Sequence, residues 1–147
     1  MSFYTANRFN DSPQEAYEAF YADAFVHCPV RRWAEVASAL LDVRTYVWTR
    51  HIDAVQDLKA FHGVELSFVF GTLFDELHTP AEEAMSAYVR DTWTSAAMGA
   101  PTVKEMEWPL YDPPTAKWMI LDLVPEVETH LRLEICEFLL AEGWPPY

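Results

Sequence analysis

Thr45-Tyr46-Val47-Trp48-Thr49 is β-branched and aromatic throughout, the best strand in the chain, and it constrains the fold more than any other stretch. A central strand needs a neighbour on each side to satisfy its backbone N–H and C=O groups. Only two short apolar runs, Phe68 to Phe70 and Trp118 to Leu123, offer themselves as partners. The remaining periodic sequence is helical. The reading is an α/β chain, mostly helical, with one core strand, one or two short strands and a sheet that looks incomplete.

Helices are marked by their caps. Residues 1–11 carry no periodicity and read as a disordered tail, and residues 12–147 read as one unit. Ser12 is an N-cap with Pro13 at the first helical position and Glu15 completing a capping box. Tyr17, Phe20, Tyr21, Ala24 and Phe25 then form one apolar face that must dock against something. A second helix starts at Pro29, with Val30, Trp33, Val36, Ala37, Leu40 and Leu41 as its buried stripe and Arg31, Arg32 and Glu35 toward water. Thr79-Pro80-Ala81-Glu82 is another capping box, opening a long helix that turns Ala84, Met85, Tyr88, Val89, Trp93 and Ala97 inward and stops at Gly99. A last helix is expected from Pro125 to Ala141, burying Val127, Leu131, Ile135, Phe138 and Leu139.

At 147 residues the chain is long enough for one core and too short for two ordinary domains. With 51% apolar and 15% aromatic residues it is not a disordered chain, despite a net charge of −13. That field repels nucleic acid and anionic membrane surfaces, so neither is expected as a partner. No apolar run approaches the roughly 18 residues of a membrane span, and the first dozen residues lack the apolar core of a signal peptide. Taken literally, the chain stays in the cytoplasm. Cys28 and Cys136, far apart in sequence, read by themselves as inert buried thiols and as a poor zinc site, and no metal or cofactor is expected.

Between Phe61 and Gly71 the sequence runs F-H-G-V-E-L-S-F-V-F-G. His62 stands just ahead of Gly63, which lets the chain turn at positive φ, and Leu66, Phe68 and Phe70 alternate as a buried extended run would. A histidine so placed can present a ring nitrogen to a cleft, and its ordinary pKa of about 6.5 suits proton transfer near neutrality. On spacing alone, a lone histidine near aromatics is more often a hydrogen-bonded packing residue. Asp53 and Asp57 precede it in sequence and either could orient an imidazole, although loop solvation is their commoner role.

The segment from His62 to Gly71 resembles the one that carries the catalytic histidine in type-B carboxylesterases, the α/β-hydrolase family that includes the cholinesterases, where H-G-x-E-[LI]-x-[FY]-V-F-G recurs. H-C-P-V-R-R at 27–32, T-Y-V-W-T-R-H at 45–51, W-P-L-Y-D at 108–112 and L-R-L-E-I-C-E-F at 131–138 follow in the family's order. The similarity covers about residues 14 to 142 and only the C-terminal portion of a much longer family chain. It implies a partial α/β-hydrolase fold and His62 as the triad histidine, supported by Gly63 and by Glu65, which resembles a buried glutamate bracing this loop. It also implies a disulfide between Cys28 and Cys136. Closing a loop of about 100 residues would stabilise the fold by roughly 4 to 5 kcal/mol in the chain-entropy model, and it requires an oxidising compartment. Secretion is then the expectation if missing upstream sequence carried a signal. Where relatives close the long helix with something like T-G-D-P-N, this chain has Met98-Gly99-Ala100-Pro101-Thr102, without the acid.

Serine hydrolysis on such a fold needs a nucleophile on a G-x-S-x-G elbow, then an acid, then a histidine. The four glycines, Gly63, Gly71, Gly99 and Gly143, flank no serine at that spacing. Ser67, placed in the extended run, carries little weight as a substitute. Three readings remain. The chain is the C-terminal part of a carboxylic ester hydrolase, inactive alone, with a small-molecule ester as substrate. Alternatively it is a non-catalytic remnant acting as a protein-interaction module. The resemblance to the cholinesterase branch also implies a homodimer through the C-terminal helix. A third reading, a small enzyme built on His27, His51, His62, His78 or His130, ranks last because no pair of these has helical ligand spacing.

Overall fold

A computed structural model of the chain describes residues 3–51, 59–75 and 78–144. Its helices are α1 (Pro13–Ala22), α2 (Cys28–Ala37), α3 (Val64–Phe70), α4 (Pro80–Ala97) and α5 (Leu133–Ala141). Its strands are β1 (Tyr46–Trp48), β2 (Thr102–Val103), β3 (Met106–Glu107), β4 (Lys117–Leu121) and β5 (Glu126–Thr129). These fall into two compact units, one made of Met1–Val43, Tyr111–Ala116 and His130–Tyr147, the other of Arg44–Leu110 and Lys117–Thr129.

The first unit is helical. Ser12 caps α1 by accepting from the Glu15 N–H at 3.2 Å, and a five-residue π-helical stretch, Asp23–His27, joins α1 to α2. Ala24, Cys28, Cys136 and Leu139 form the buried cluster, with Tyr4, Phe20, Ile135, Phe138 and Trp144 around it. Cys28 and Cys136 are joined as a disulfide, tying the start of α2 to α5. Asp23 is fully buried within this apolar setting. It accepts from the Tyr4 hydroxyl at 3.0 Å and pairs with the Arg132 guanidinium at 3.5 Å.

Two helical faces differ from the sequence expectation. On α2 the inward side is Cys28, Arg31 and Ala34, whereas Val30, Trp33 and Val36 are exposed, Trp33 by 73%, as are Leu40 and Leu41 beyond its end. Arg31, expected in water, is buried and donates to the Leu131 carbonyl at 3.4 Å while pairing with Glu35 at 3.3 Å. Periodicity identifies an apolar face, but not whether the same chain supplies the cover. Along α1 and the π-helical stretch after it, Tyr17, Tyr21 and Phe25 likewise face out, their rings tilted against one another in a row with centroids 6.4 and 4.7 Å apart.

The second unit holds the sheet. Strand order is β1-β4-β5, with β1 parallel to β4 (Val47 beside Ile120) and β4 antiparallel to β5 (Met119 beside Val127). β1 therefore has one neighbour among the described residues, the run beginning at Trp118, and lies at an edge. Its entry is fixed by Trp108, whose indole N–H donates to the Thr45 carbonyl at 3.1 Å. Residues 126–129, expected within the last helix, form β5 instead. Glu-Val-Glu-Thr has the period of a strand, pairing with β4 wins over helical propensity, and Val127 remains exposed. The helix begins only at Leu133, after His130 and Arg132 at positive φ.

Phe68 to Phe70 is not a strand. The stretch is helix α3, bounded by Gly63 at φ 83° and Gly71 at φ 64°, both left-handed. The two glycines permit a cap at each end. Val64 and Phe68, four apart, face the core, while Leu66 and Phe70, counted in the alternating pattern, are exposed. Val64 and Phe68 pack with Met85, Tyr88 and Val89 of α4 and with Met119 and Leu121 of β4. Thr79 caps α4 as its capping box requires, accepting from the Glu82 N–H at 3.3 Å.

Candidate functional site

His62 occupies a turn whose two flanks are anchored. Phe61 packs against the core of the second unit, Val64 is 2% exposed, and the Val64 N–H donates to the Phe61 carbonyl at 3.2 Å. Gly63 takes the left-handed conformation needed to close that turn, and its carbonyl accepts from Leu66 at 3.1 Å. His62 itself is exposed, so a buried frame presents an open imidazole.

The frame is α3, held from several directions. Its Phe68 ring lies 4.8 Å from the Trp48 ring of β1, and its Phe68 carbonyl accepts from the buried Ser86 hydroxyl of α4 at 2.9 Å. Ser67 is buried and donates to the Val64 carbonyl, so its hydroxyl is committed within the helix. At the far end, a Cβ on Gly71 would sit 3.2 Å from the Arg90 guanidinium.

Glu65 is half-buried beside Tyr46 of β1. Burial chiefly, and the Glu65 charge second, hold the Tyr46 hydroxyl above its ordinary pKa. Asp53 and Asp57 lie outside the described residues. Cys28, Cys136, His27 and His130 belong to the first unit, whereas His62, Gly63 and Glu65 belong to the second. Among the described residues no three His, Cys, Asp or Glu side chains come together as metal ligands, and no helix is long and apolar enough to cross a membrane.

One further polar cluster was not legible in the sequence. Arg50, just beyond β1, donates from Nε to Glu82 Oε1 at 3.0 Å, and Glu82 also accepts from the Thr79 hydroxyl. Glu82 reads in sequence as the acid that closes a capping box, three residues after Thr79, which explains its place but not its partner. Nothing near Arg50 in sequence distinguishes it from a solvated loop cation.

With the geometry in view, the architecture is that of an α/β-hydrolase, in part. It superposes on a solved PNB esterase with a TM-score of 0.76 at 28% identity, over 92% of this chain and 29% of that one. A thermophilic PNB esterase gives 0.74 at 28% identity, over 85% and 27%. In sequence, para-nitrobenzyl esterase of Bacillus subtilis (strain 168) is 32% identical over 102 residues, 64% of this chain and 21% of that protein. The pattern that defines the carboxylesterase family matches residues 1–139, and the chain belongs to that family. It spans 21% of the length of the Bacillus relative.

Proposed function

We propose that this chain is the C-terminal portion of a carboxylic ester hydrolase and supplies His62 as the triad histidine. The serine and the acid come from sequence outside these 147 residues. The observation that carries the reading is the placement of His62, exposed on a glycine turn between half-buried Phe61 and buried Val64, inside the residues matched to the family. In the reaction His62 takes the proton of the serine hydroxyl as that oxygen attacks the ester carbonyl, then delivers it to the departing alkoxide. Gly63 shapes the turn and Glu65 braces it beside Tyr46. The substrate is a small-molecule ester. Support also comes from each unit separately: β1 lies at an edge among the described residues of the second, and the α2 stripe is uncovered in the first, as expected of parts that meet more of the same fold. Without a serine elbow the isolated chain is inactive, because triad members act as a unit.

The test is the native polypeptide in its source, probed with an antibody to the segment around Trp108 and with a fluorophosphonate that labels activated serines. A band several times heavier than 17.0 kDa that takes the label, and whose ester turnover is lost in His62→Ala, is expected. An unlabelled band at 17.0 kDa would overturn the reading and favour a non-catalytic interaction module, using the α2 stripe.

A further inference from the structure

β1, α3 and α4 are tied pairwise into a closed triangle within the second unit. Trp48 on Phe68 ties β1 to α3, and the Ser86 hydroxyl on the Phe68 carbonyl ties α3 to α4. Both of these converge on one residue, Phe68, while Tyr46 on Trp93, with rings 5.3 Å apart, ties β1 to the C-terminal half of α4. The Arg50–Glu82 pair completes this third side at the opposite end of α4, joining the exit of β1 to its first turn. Its side chains are only 15% and 6% exposed. A pair this buried contributes little net stability, since desolvation offsets most of its Coulomb attraction, and a role in fixing geometry is the better account of it.

His62 lies on the segment between Arg50 and α3. We infer that Arg50 and Glu82 are positioning residues for His62: they hold the exit of β1 against the first turn of α4, the helix whose Ser86 holds α3, and His62 stands two residues ahead of α3. The catalytic consequence rests on the proposed reading of His62, whereas the positional claim does not.

The experiment therefore reads the imidazole directly, by NMR of this chain. In Glu82→Gln and Arg50→Gln, the His62 ring resonance is expected to broaden or split, and amide exchange at Val64 and Leu66 to accelerate about tenfold, the mark of a local opening. Exchange at Met119, whose N–H donates to Thr45 in the β1–β4 ladder, is expected to change less than about twofold. The exchanged pair Arg50→Glu with Glu82→Arg is expected to restore the single His62 resonance. Should either Gln variant fail to fold, Arg50→Lys keeps the charge and removes the fork, and is expected to show the same local signature at smaller amplitude. An unchanged His62 resonance, or uniform acceleration at Val64, Leu66 and Met119 together, would overturn the inference. Loss of the esterase reading through an active His62→Ala enzyme would leave these resonances, and the positional claim, untouched.

Discussion

The Ser86 hydroxyl of α4 donates to the Phe68 carbonyl of α3 at 2.9 Å, and both residues are buried. That carbonyl lies in the last turn of a seven-residue helix, where backbone acceptors run out of intrahelical donors. The Gly71 N–H also reaches that carbonyl, at 3.3 Å, so Ser86→Ala removes one of two donors, an expected loss of about 0.5–1.5 kcal/mol. Urea denaturation of this chain reads it. A loss below about 0.5 kcal/mol, the scale of an ordinary surface substitution, would mean that water replaces the hydroxyl.

The disulfide is the tie within the first unit. Its Cα atoms lie 5.3 Å apart, and both cysteines sit in the cluster with Ala24 and Leu139. Cys28→Ser with Cys136→Ser is expected to lower stability by about 2–5 kcal/mol. Because the bridge joins α2 to α5, amide exchange should accelerate first in residues 133–141. Equal acceleration in β4 would show that the two units unfold as one.

How much of this was legible follows from which forces are local. Caps at Ser12 and Thr79, the strand at Tyr46–Trp48 and the glycine turn beside His62 rest on backbone chemistry within a few residues, and the sequence carries them. Burial is not local. Val30, Trp33 and Leu40 have the spacing of a core stripe, yet the described chain brings nothing to cover them, and the disulfide side of α2 turns inward instead. Glu126–Thr129 became a strand because β4 lay available to pair. Arg50 and Glu82 meet across the fold, and only coordinates reveal such a pair.

That exposure has a measurable counterpart. Trp33→Gln and Leu40→Gln are expected to change the stability of this chain by no more than about 0.5 kcal/mol, as surface substitutions do. Phe68→Ala, at a fully buried position, is expected to lose about 3–5 kcal/mol. If Trp33→Gln also proved severe, the stripe would be covered in solution by a second copy, and the midpoint would depend on protein concentration.

The two helix-ending glycines separate strain from contact. A Cβ at Gly71 (φ 64°) would lie 3.2 Å from the Arg90 guanidinium, whereas one at Gly99 (φ 82°) would meet nothing within 4 Å. Alanine at Gly99 meets only the left-handed penalty, about 1 kcal/mol, while alanine at Gly71 must also displace Arg90 and is expected to lose more. Thermal melts of the two variants rank them. The reverse order would mean that Arg90 gives way freely.

The pH response of the first unit centres on His27. Burial chiefly lowers its pKa below the ordinary 6.5, the Arg132 guanidinium lowers it further, and the Asp23 carboxylate opposes both. A depressed histidine binds its proton more readily in the unfolded chain, so the neutral ring favours folding above about pH 6.5. That contribution is lost as pH falls from 6.5 through the folded-state pKa. His27→Gln, which cannot titrate, is expected to flatten the stability curve between about pH 6.5 and 5, where carboxylates still remain mostly charged. The measurement is the urea midpoint of wild type and His27→Gln across that window. Two parallel curves would show that the decline comes from other groups. A steeper curve in the variant would mean that Asp23 outweighs burial and raises the His27 pKa instead.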